Sequence, residues 1–143
     1  MFGKLLTAGT VALLLAPAAF AETYEVKMLN KGESGSMVFE PAFIAAAPGD
    51  TITFLPTSKG HNAESIKGML PEGMDKFKSK VGKEFSITLD KEGLYGIKCT
   101  PHYSLGMVAL IQVGAATNLD EASKVKQKGK AKKRFPPLFE QVQ

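Results

Sequence analysis

The sequence has 143 residues, of which 44% are hydrophobic and 22% are charged, with a formal charge of +4. This length suits one domain and this composition is ordinary for a globular protein, which excludes a disordered tail protein and a multidomain enzyme. The chain has a single cysteine. An internal disulfide framework and every multi-cysteine zinc or iron–sulfur motif are therefore excluded as well.

The N-terminal segment has the pattern of a secretory signal peptide. Lys4 precedes the apolar run from Leu5 to Leu15, and Ala19-Phe20-Ala21 is a small-x-small cleavage pattern. The run is short for a membrane span of about 20 residues, and an uncleaved anchor is the alternative. We predict a signal peptide over residues 1–21 and an exported mature chain. In an oxidising compartment the lone thiol of Cys99 has to be buried, paired with another chain or bound to a metal.

Period-two alternation of apolar residues indicates a series of short strands separated by glycine and proline turns. This pattern predicts an all-β sandwich or barrel. Residues 65–80 are predicted to be a loop, because glycine and proline interrupt any long element there. The predicted strands cover residues 23–30, 43–47, 51–55, 85–89, 95–99 and 107–113.

A helical pattern replaces the strands after Gly114. Asn118, followed three positions later by Glu121, is an approximate N-cap signal and predicts a helix over about 119–126. A second helix is predicted to begin at Pro136 or Pro137, because proline suits the first turn of a helix and not its interior. We therefore predict a β-sandwich over 22–116 and a C-terminal helical extension over 117–143.

The basic residues are concentrated in this extension, where seven of the eleven residues from Lys124 to Arg134 are basic. Nucleic-acid binding is not expected of an exported protein whose basic run has no interleaved aromatic residues. A stable membrane association is not expected either, because no apolar helix face accompanies the charges. The run is predicted to be a solvated helix face and linker.

The stretch from Cys99 to Met107 has the pattern Cys-x2-His-x4-Met, and it lies where one predicted strand ends and the next begins. His61, in the loop after strand 51–55, is the other histidine of the mature chain. Taken singly, the cysteine and methionine suit a buried core and His61 suits a surface loop. Together, two histidines, one cysteine and one methionine form the ligand set of a blue-copper electron-transfer centre. No paired carboxylates, activated nucleophile or phosphate-binding glycine loop lies near them, so no enzyme activity is predicted.

The motif Cys99-x2-His102-x4-Met107, with Gly60-His61-Asn62 upstream, resembles that of the cupredoxins, the type 1 blue copper proteins. The stretch 24–43 and the helical extension are similar to the pseudoazurin group of that family, and the resemblance covers nearly all of residues 22–130. It implies an eight-stranded Greek-key β-sandwich in which His61, Cys99, His102 and Met107 bind one copper ion. It further implies a soluble, monomeric, periplasmic one-electron carrier, not an enzyme, with His102 as the electron exit.

The same resemblance implies a role in denitrification, with a copper nitrite reductase as electron acceptor or a c-type cytochrome as exchange partner. Such a partner is expected to present acidic groups around its redox centre, because lysines flank the predicted site. A solvated lysine-rich face is the alternative. The predicted docking residues are the apolar Met37 and a ring formed by Lys31, Lys59, Lys78, Lys98 and Lys130.

Two residues beside the ligands are expected to tune the site. A backbone N–H or the Asn62 side chain is predicted to donate a hydrogen bond to the Cys99 sulfur or to lock the two loops together. Pro101 removes an N–H that could otherwise reach the thiolate. We therefore expect Pro101→Ala to raise the reduction potential.

Two other metal functions use the same residues. A copper chaperone or store is one alternative, although such proteins typically rely on exposed Met/His clusters or paired cysteines. A structural zinc site is the other, since zinc also accepts cysteine and histidine. Divalent-ion affinity favours copper over zinc, and zinc has little use for an axial methionine.

Overall fold

The computed structural model describes residues 14–16 and 19–143. Most of the predicted signal peptide, residues 1–13 and 17–18, lies outside the described residues. Within the described ranges, none of the helices is long and apolar enough to span a membrane.

The described chain forms two four-stranded sheets, with the strand orders β2-β1-β4-β6 and β3-β8-β7-β5. The pairs β1·β4 and β3·β8 are parallel, and the other neighbours are antiparallel. The all-β sandwich and its eight strands are confirmed. The strands are β1 Thr23–Gly32, β2 Gly35–Glu40, β3 Phe43–Ala46, β4 Asp50–Leu55, β5 Glu64–Ser65, β6 Phe85–Leu89, β7 Gly93–Lys98 and β8 Val108–Val113.

The main core lies between the two sheets. Alternate residues of β1 and β4 point into it, among them Val26, Met28, Ile52 and Phe54, all at most 1% exposed. This is the period-two burial that the sequence pattern predicts. Cys99 and Met107 belong to the same core, so the predicted metal ligands are continuous with the hydrophobic interior.

A second core covers the outer face of the β7–β8 layer. Strand β8 is buried at every position because helices pack on this side of the sheet. The helices are α1 Leu119–Ser123 and α2 Ala131–Phe139, and a short 3₁₀ helix covers Thr100–Leu105. The extension is therefore packed onto the sandwich.

The predicted start of the second helix is wrong, since α2 begins at Ala131 and contains Pro136 and Pro137 in its interior. Burial of Ala131, Phe135 and Leu138 on one face stabilises this helix. The two prolines lie on the exposed face, where water can bond to the carbonyls that proline leaves without a donor. Helix α1 also ends three residues before the predicted boundary.

Candidate metal centre

The structure brings His61, Cys99 and His102 together at one end of the sandwich. Nδ1 of His61 lies 3.7 Å from the Cys99 sulfur and Nδ1 of His102 lies 3.6 Å from it. The two nitrogens are 3.1 Å apart. In the described part of the chain, these residues are the one group of three histidine, cysteine or acidic residues whose ligand atoms lie within 4.8 Å of one another.

The loop between β7 and β8 folds back so that its two ends meet. The backbone N–H of Cys99 donates to the Met107 carbonyl at 3.0 Å, and the N–H of Met107 donates to the His102 carbonyl at 3.2 Å. Gly106 closes the loop with φ of 89°, a left-handed conformation that favours glycine. These bonds place the fully buried Met107 beside both Cys99 and His102.

A hydrogen bond to Asn30 fixes the His61 ring. Nε2 of His61 lies 2.7 Å from the Asn30 side-chain oxygen, which can only accept, so Nε2 carries the proton. Burial and, to a smaller extent, the neighbouring His102 lower the pKa of His61, which keeps the ring neutral. Nδ1 therefore presents a lone pair toward Cys99 and His102, as in metal sites where the second ring nitrogen is bonded to an orienting group.

Asn30 was not predicted as a site residue. It lies 31 positions before His61, and its neighbours in the sequence form an ordinary strand end. Only the path of β1 past the loop that carries His61 brings the two side chains together. An asparagine at a strand end therefore gives no local signal of this role.

Cys99 is fully buried, and this burial raises the pKa of its thiol. Backbone hydrogen bonds from Asn62 and His102 act in the opposite direction but are smaller causes. A buried thiol of this kind gives up its proton when a cation takes its place. The pocket thus combines a thiol and two imidazole nitrogens, with His61 and Cys99 buried and His102 partly exposed.

The side chain of Asn62 connects the loop of His61 to the loop of Cys99. Its Nδ2 donates to Thr100 Oγ1 at 2.8 Å and to the Ser79 carbonyl at 3.2 Å, and its Oδ1 accepts from the Thr100 N–H at 2.7 Å. Of the two arrangements considered for Asn62, the side chain adopts the one that locks the loops. Its backbone N–H lowers the pKa of the Cys99 thiol, against the larger effect of burial.

The remaining predicted residues lie on the surface around this end. Pro101 is exposed and Met37 is half-buried. Lys98 differs from the other lysines because it is half-buried, with its Nζ 4.0 Å from Glu64 and 5.2 Å from the centre of the Tyr103 ring. The exposed lysines are Lys31, Lys59, Lys78 and Lys130.

The donor set fits copper. Cysteine and methionine sulfur are soft ligands that suit Cu(I), and imidazole suits both oxidation states. Magnesium and calcium prefer carboxylate and carbonyl oxygens, and no side-chain carboxylate belongs to this group of described residues.

Comparisons with known proteins agree with this chemistry. The profile of the copper binding proteins, plastocyanin/azurin family, matches residues 26–114. A pseudoazurin of Paracoccus pantotrophus is 55% identical over 99% of both chains, and one of Methylorubrum extorquens is 51% identical over 100% of this chain and 99% of its own. The crystal structure of pseudoazurin from Methylobacterium extorquens AM1 matches with a TM-score of 0.82 and 52% identity, covering 85% of this chain and 99% of that one.

These matches confirm the resemblance predicted from the sequence, the cupredoxin fold and copper as the cofactor. The chain belongs to the pseudoazurins, within the plastocyanin/azurin family of copper-binding proteins.

Proposed function

We propose that this protein is a one-electron carrier that binds a single type 1 copper ion through His61, Cys99, His102 and Met107. The observation that carries the proposal is the convergence of the imidazole nitrogens of His61 and His102 and the Cys99 sulfur within 4.8 Å at one end of the sandwich. Bound to these residues, copper would supply a Cu(I)/Cu(II) couple, because the sulfur donors stabilise Cu(I) and imidazole serves both states.

The surrounding residues hold the donors in place. Asn30 orients His61, Asn62 links the two ligand loops, and backbone hydrogen bonds join Met107 to Cys99 and His102. Donors that are fixed by packing and hydrogen bonds move little when the charge of the site changes by one. Such rigidity favours rapid electron transfer over substrate chemistry, so we propose that the protein is a carrier and not an enzyme.

His102 is the proposed electron exit. Cys99, His61 and Met107 are fully buried, whereas His102 is partly exposed. Its Nδ1 faces the Cys99 sulfur at 3.6 Å, so the exposed part of the same ring joins the pocket to the surface. A partner that contacts this ring would come as close to the site as the fold allows.

The surface around His102 supports docking to an acidic redox protein. Leu105, 42% exposed, and the neighbouring Pro101 provide an apolar contact area. Lys59 precedes the His61 loop, and Lys78 lines the same surface cavity as Pro101. A positive ring around a small apolar patch favours fast and brief association. We propose a copper nitrite reductase as acceptor, in denitrification, or a c-type cytochrome as exchange partner.

We further propose that the protein acts as a soluble periplasmic monomer. The pattern of residues 1–21 supports export, and cleavage there would leave a sandwich over 22–116 with the helical extension 117–143. The partners named above suit this compartment, and brief association suits a carrier that moves freely between them.

The test is to purify residues 22–143, add Cu(II), and record visible and electron paramagnetic resonance spectra during repeated reduction and oxidation beside a competing chelator. An electron carrier shows an intense blue colour with narrow copper hyperfine splitting and recovers both fully after each cycle. Loss of copper to the chelator in one oxidation state would favour the copper-handling alternative. A colourless protein that binds zinc and rejects copper would favour a structural zinc site.

A further inference from the structure

A side chain of the C-terminal helix reaches the loop that carries the predicted ligands. Arg134 of α2 donates from Nη1 to the Gly106 carbonyl at 2.9 Å and also to the Met37 carbonyl. Its Nη2 donates to the Ser36 carbonyl at 2.6 Å. One guanidinium thus joins α2 to Gly106, 28 residues earlier in the sequence, and to Met37 and Ser36, 97 and 98 residues earlier.

The bridge bonds to two residues with positive φ, and at Met37 that conformation needs support. Gly106 has φ of 89°, and Met37 has φ of 53°, which is uncommon for a residue with a side chain. A Cβ atom at Gly106 would lie only 2.7 Å from Arg134 Cδ, so the arginine stem fills the space that the glycine leaves. The bridge therefore contacts the residue that immediately precedes Met107.

The segment that leads into the same helix contacts the loop at two more points. The backbone N–H of Lys130 donates to the Ser104 carbonyl at 2.9 Å, and the Tyr103 hydroxyl donates to the Gln127 side chain. The segment 127–134 is thus fastened along the outside of the 3₁₀ helix. The prediction that this basic run is only a solvated face and linker is incomplete, because Arg134 is half-buried and bonded while Lys132 and Lys133 are exposed.

We propose that Arg134 is a positioning residue for the copper site, which it sets by fixing the Gly106–Met107 peptide against Met37. The inference rests on the proposed function, in which Met107 is the axial ligand. The planar fork of arginine can bond to several carbonyls at once, whereas lysine offers a point charge on a flexible stem. The axial ligand of such a site tunes its reduction potential.

The experiment compares Arg134→Lys with the wild type and with Lys133→Gln, an exposed neighbour on the same helix. In metal-free protein, Arg134→Lys should increase amide hydrogen exchange at Gly106 and Met107 by about tenfold, as expected for the loss of one charge-assisted hydrogen bond. Phe54 in β4 is the internal reference and should not change. In copper-loaded protein, the same variant should shift the reduction potential and the paramagnetic spectrum, while Lys133→Gln should not.

The variant Arg134→Gln removes the charge together with the planar guanidinium. If the guanidinium geometry sets the site, the paramagnetic spectrum should shift in the same direction in Arg134→Gln as in Arg134→Lys. Unchanged loop exchange in folded Arg134→Lys would overturn the proposal. Faster exchange with an unchanged spectrum and potential would also overturn it, because Arg134 would then hold the loop without setting the site. Failure of the proposed function is distinguishable, since the wild type itself would then lack the blue colour.

Discussion

The two ends of the sandwich bury polar side chains in different surroundings. At the end where β4 begins, the carboxylate of Asp50, 4% exposed, accepts the N–H groups of Glu22 and Ala47, each at 2.8 Å. The Tyr95 hydroxyl nearby donates to the Lys91 carbonyl, and burial is the main reason that its pKa rises to about 12. Both side chains are thus paired with backbone groups.

At the ligand end, the Nδ1 atoms of His61 and His102 and the Cys99 sulfur face one another instead of facing the backbone. His61 has its proton on the Asn30 side, so its Nδ1 lone pair points at His102 Nδ1 and the Cys99 sulfur. Buried polar groups are normally paired, and in the metal-free protein the hydrogen that the His61 Nδ1 lone pair needs can come only from the Cys99 thiol or the His102 ring. The difference separates a structural end, where Asp50 and Tyr95 bond to backbone groups, from a ligand end, where the facing atoms are those proposed to bind copper.

The largest effect is expected from Cys99→Ser. The serine hydroxyl is a harder and far weaker donor than a thiolate, so the intense blue colour should be lost completely, and any bound copper should show ordinary tetragonal splitting. Thermal unfolding of the metal-free variant is the control, since the substitution nearly preserves volume. A variant that stays blue would contradict the assignment of Cys99 as ligand.

Two asparagines that make similar hydrogen bonds allow a matched comparison. Asn62→Ala removes side-chain hydrogen bonds with the backbone of Thr100 and Ser79. Asn118→Ala removes two side-chain hydrogen bonds with the backbone of Leu94. Each should lower the free energy of unfolding by about 2–3 kcal/mol, measured by denaturant titration. Only Asn62→Ala should also change the copper spectrum, and an equal spectral change in both variants would remove the distinction between the two ends.

The Asp50 carboxylate at the structural end is expected to stabilise the protein at neutral pH and to lose this effect in acid. Hydrogen bonds from the N–H groups of Glu22 and then Ala47 lower its pKa, so its stabilisation is present above the ordinary carboxyl pKa and is lost as the pH falls through the lowered value. Asp50→Asn should therefore be less stable than the wild type at neutral pH, and the difference should narrow below about pH 4.

The exposed Asp90 is the control for that measurement, since Asp90→Asn changes the same charge at the same end. Thermal unfolding followed between pH 7 and about pH 3 distinguishes the two variants. A constant difference between Asp50→Asn and the wild type across this range would show that the Asp50 carboxylate contributes nothing specific. When the chain begins at Glu22, as predicted for the mature protein, its terminal ammonium is the group that bonds to Asp50.

Charge reversal of a surface lysine should slow association with a redox partner only when the lysine lies at the ligand end. Lys59→Glu should slow association with an acidic redox partner by about tenfold at low ionic strength, and added salt should remove the difference. Lys91→Glu makes the same change on an exposed lysine at the structural end and should leave the rate nearly unaltered. Stopped-flow measurement of electron transfer with the partner tests both, and equal effects would mean that docking does not select the ligand end.

The smallest effect is expected from the replacement of Pro101. Pro101→Ala restores a backbone N–H two residues after Cys99. A hydrogen bond from it to the sulfur would draw electron density from the thiolate and weaken its bond to Cu(II) more than its bond to Cu(I), so the reduction potential should rise. Pro48→Ala, an exposed proline at the structural end, is the control for voltammetry. A potential that is unchanged or lower in Pro101→Ala would contradict this expectation.

Local patterns explain why the sandwich and the motif were predictable. The donors Cys99, His102 and Met107 lie within one strand-loop-strand, and the alternation of buried residues in β1 and β4 is regular. Strand β2 was not predicted because apolar and polar residues do not alternate regularly in it. Met37 has a positive φ, and the next two residues, Val38 and Phe39, are both buried.

Long-range packing explains what the sequence could not predict. Asn30 and Arg134 act across 31 and 97 residues on His61 and on the Met37 carbonyl, respectively, and neither lies in a recognisable motif. The start of the second helix was predicted wrongly because proline has a low propensity for the interior of a helix. Burial of Phe135 and Leu138 against the sheet overrides that propensity.

The central claim is that one rigid pocket serves both oxidation states of copper. X-ray absorption at the copper edge, recorded on oxidised and reduced protein at neutral pH, measures this directly. The account predicts two nitrogen donors and one short sulfur donor in both states, with nearly the same distances. A donor lost on reduction, or an additional oxygen ligand in the oxidised protein, would contradict it.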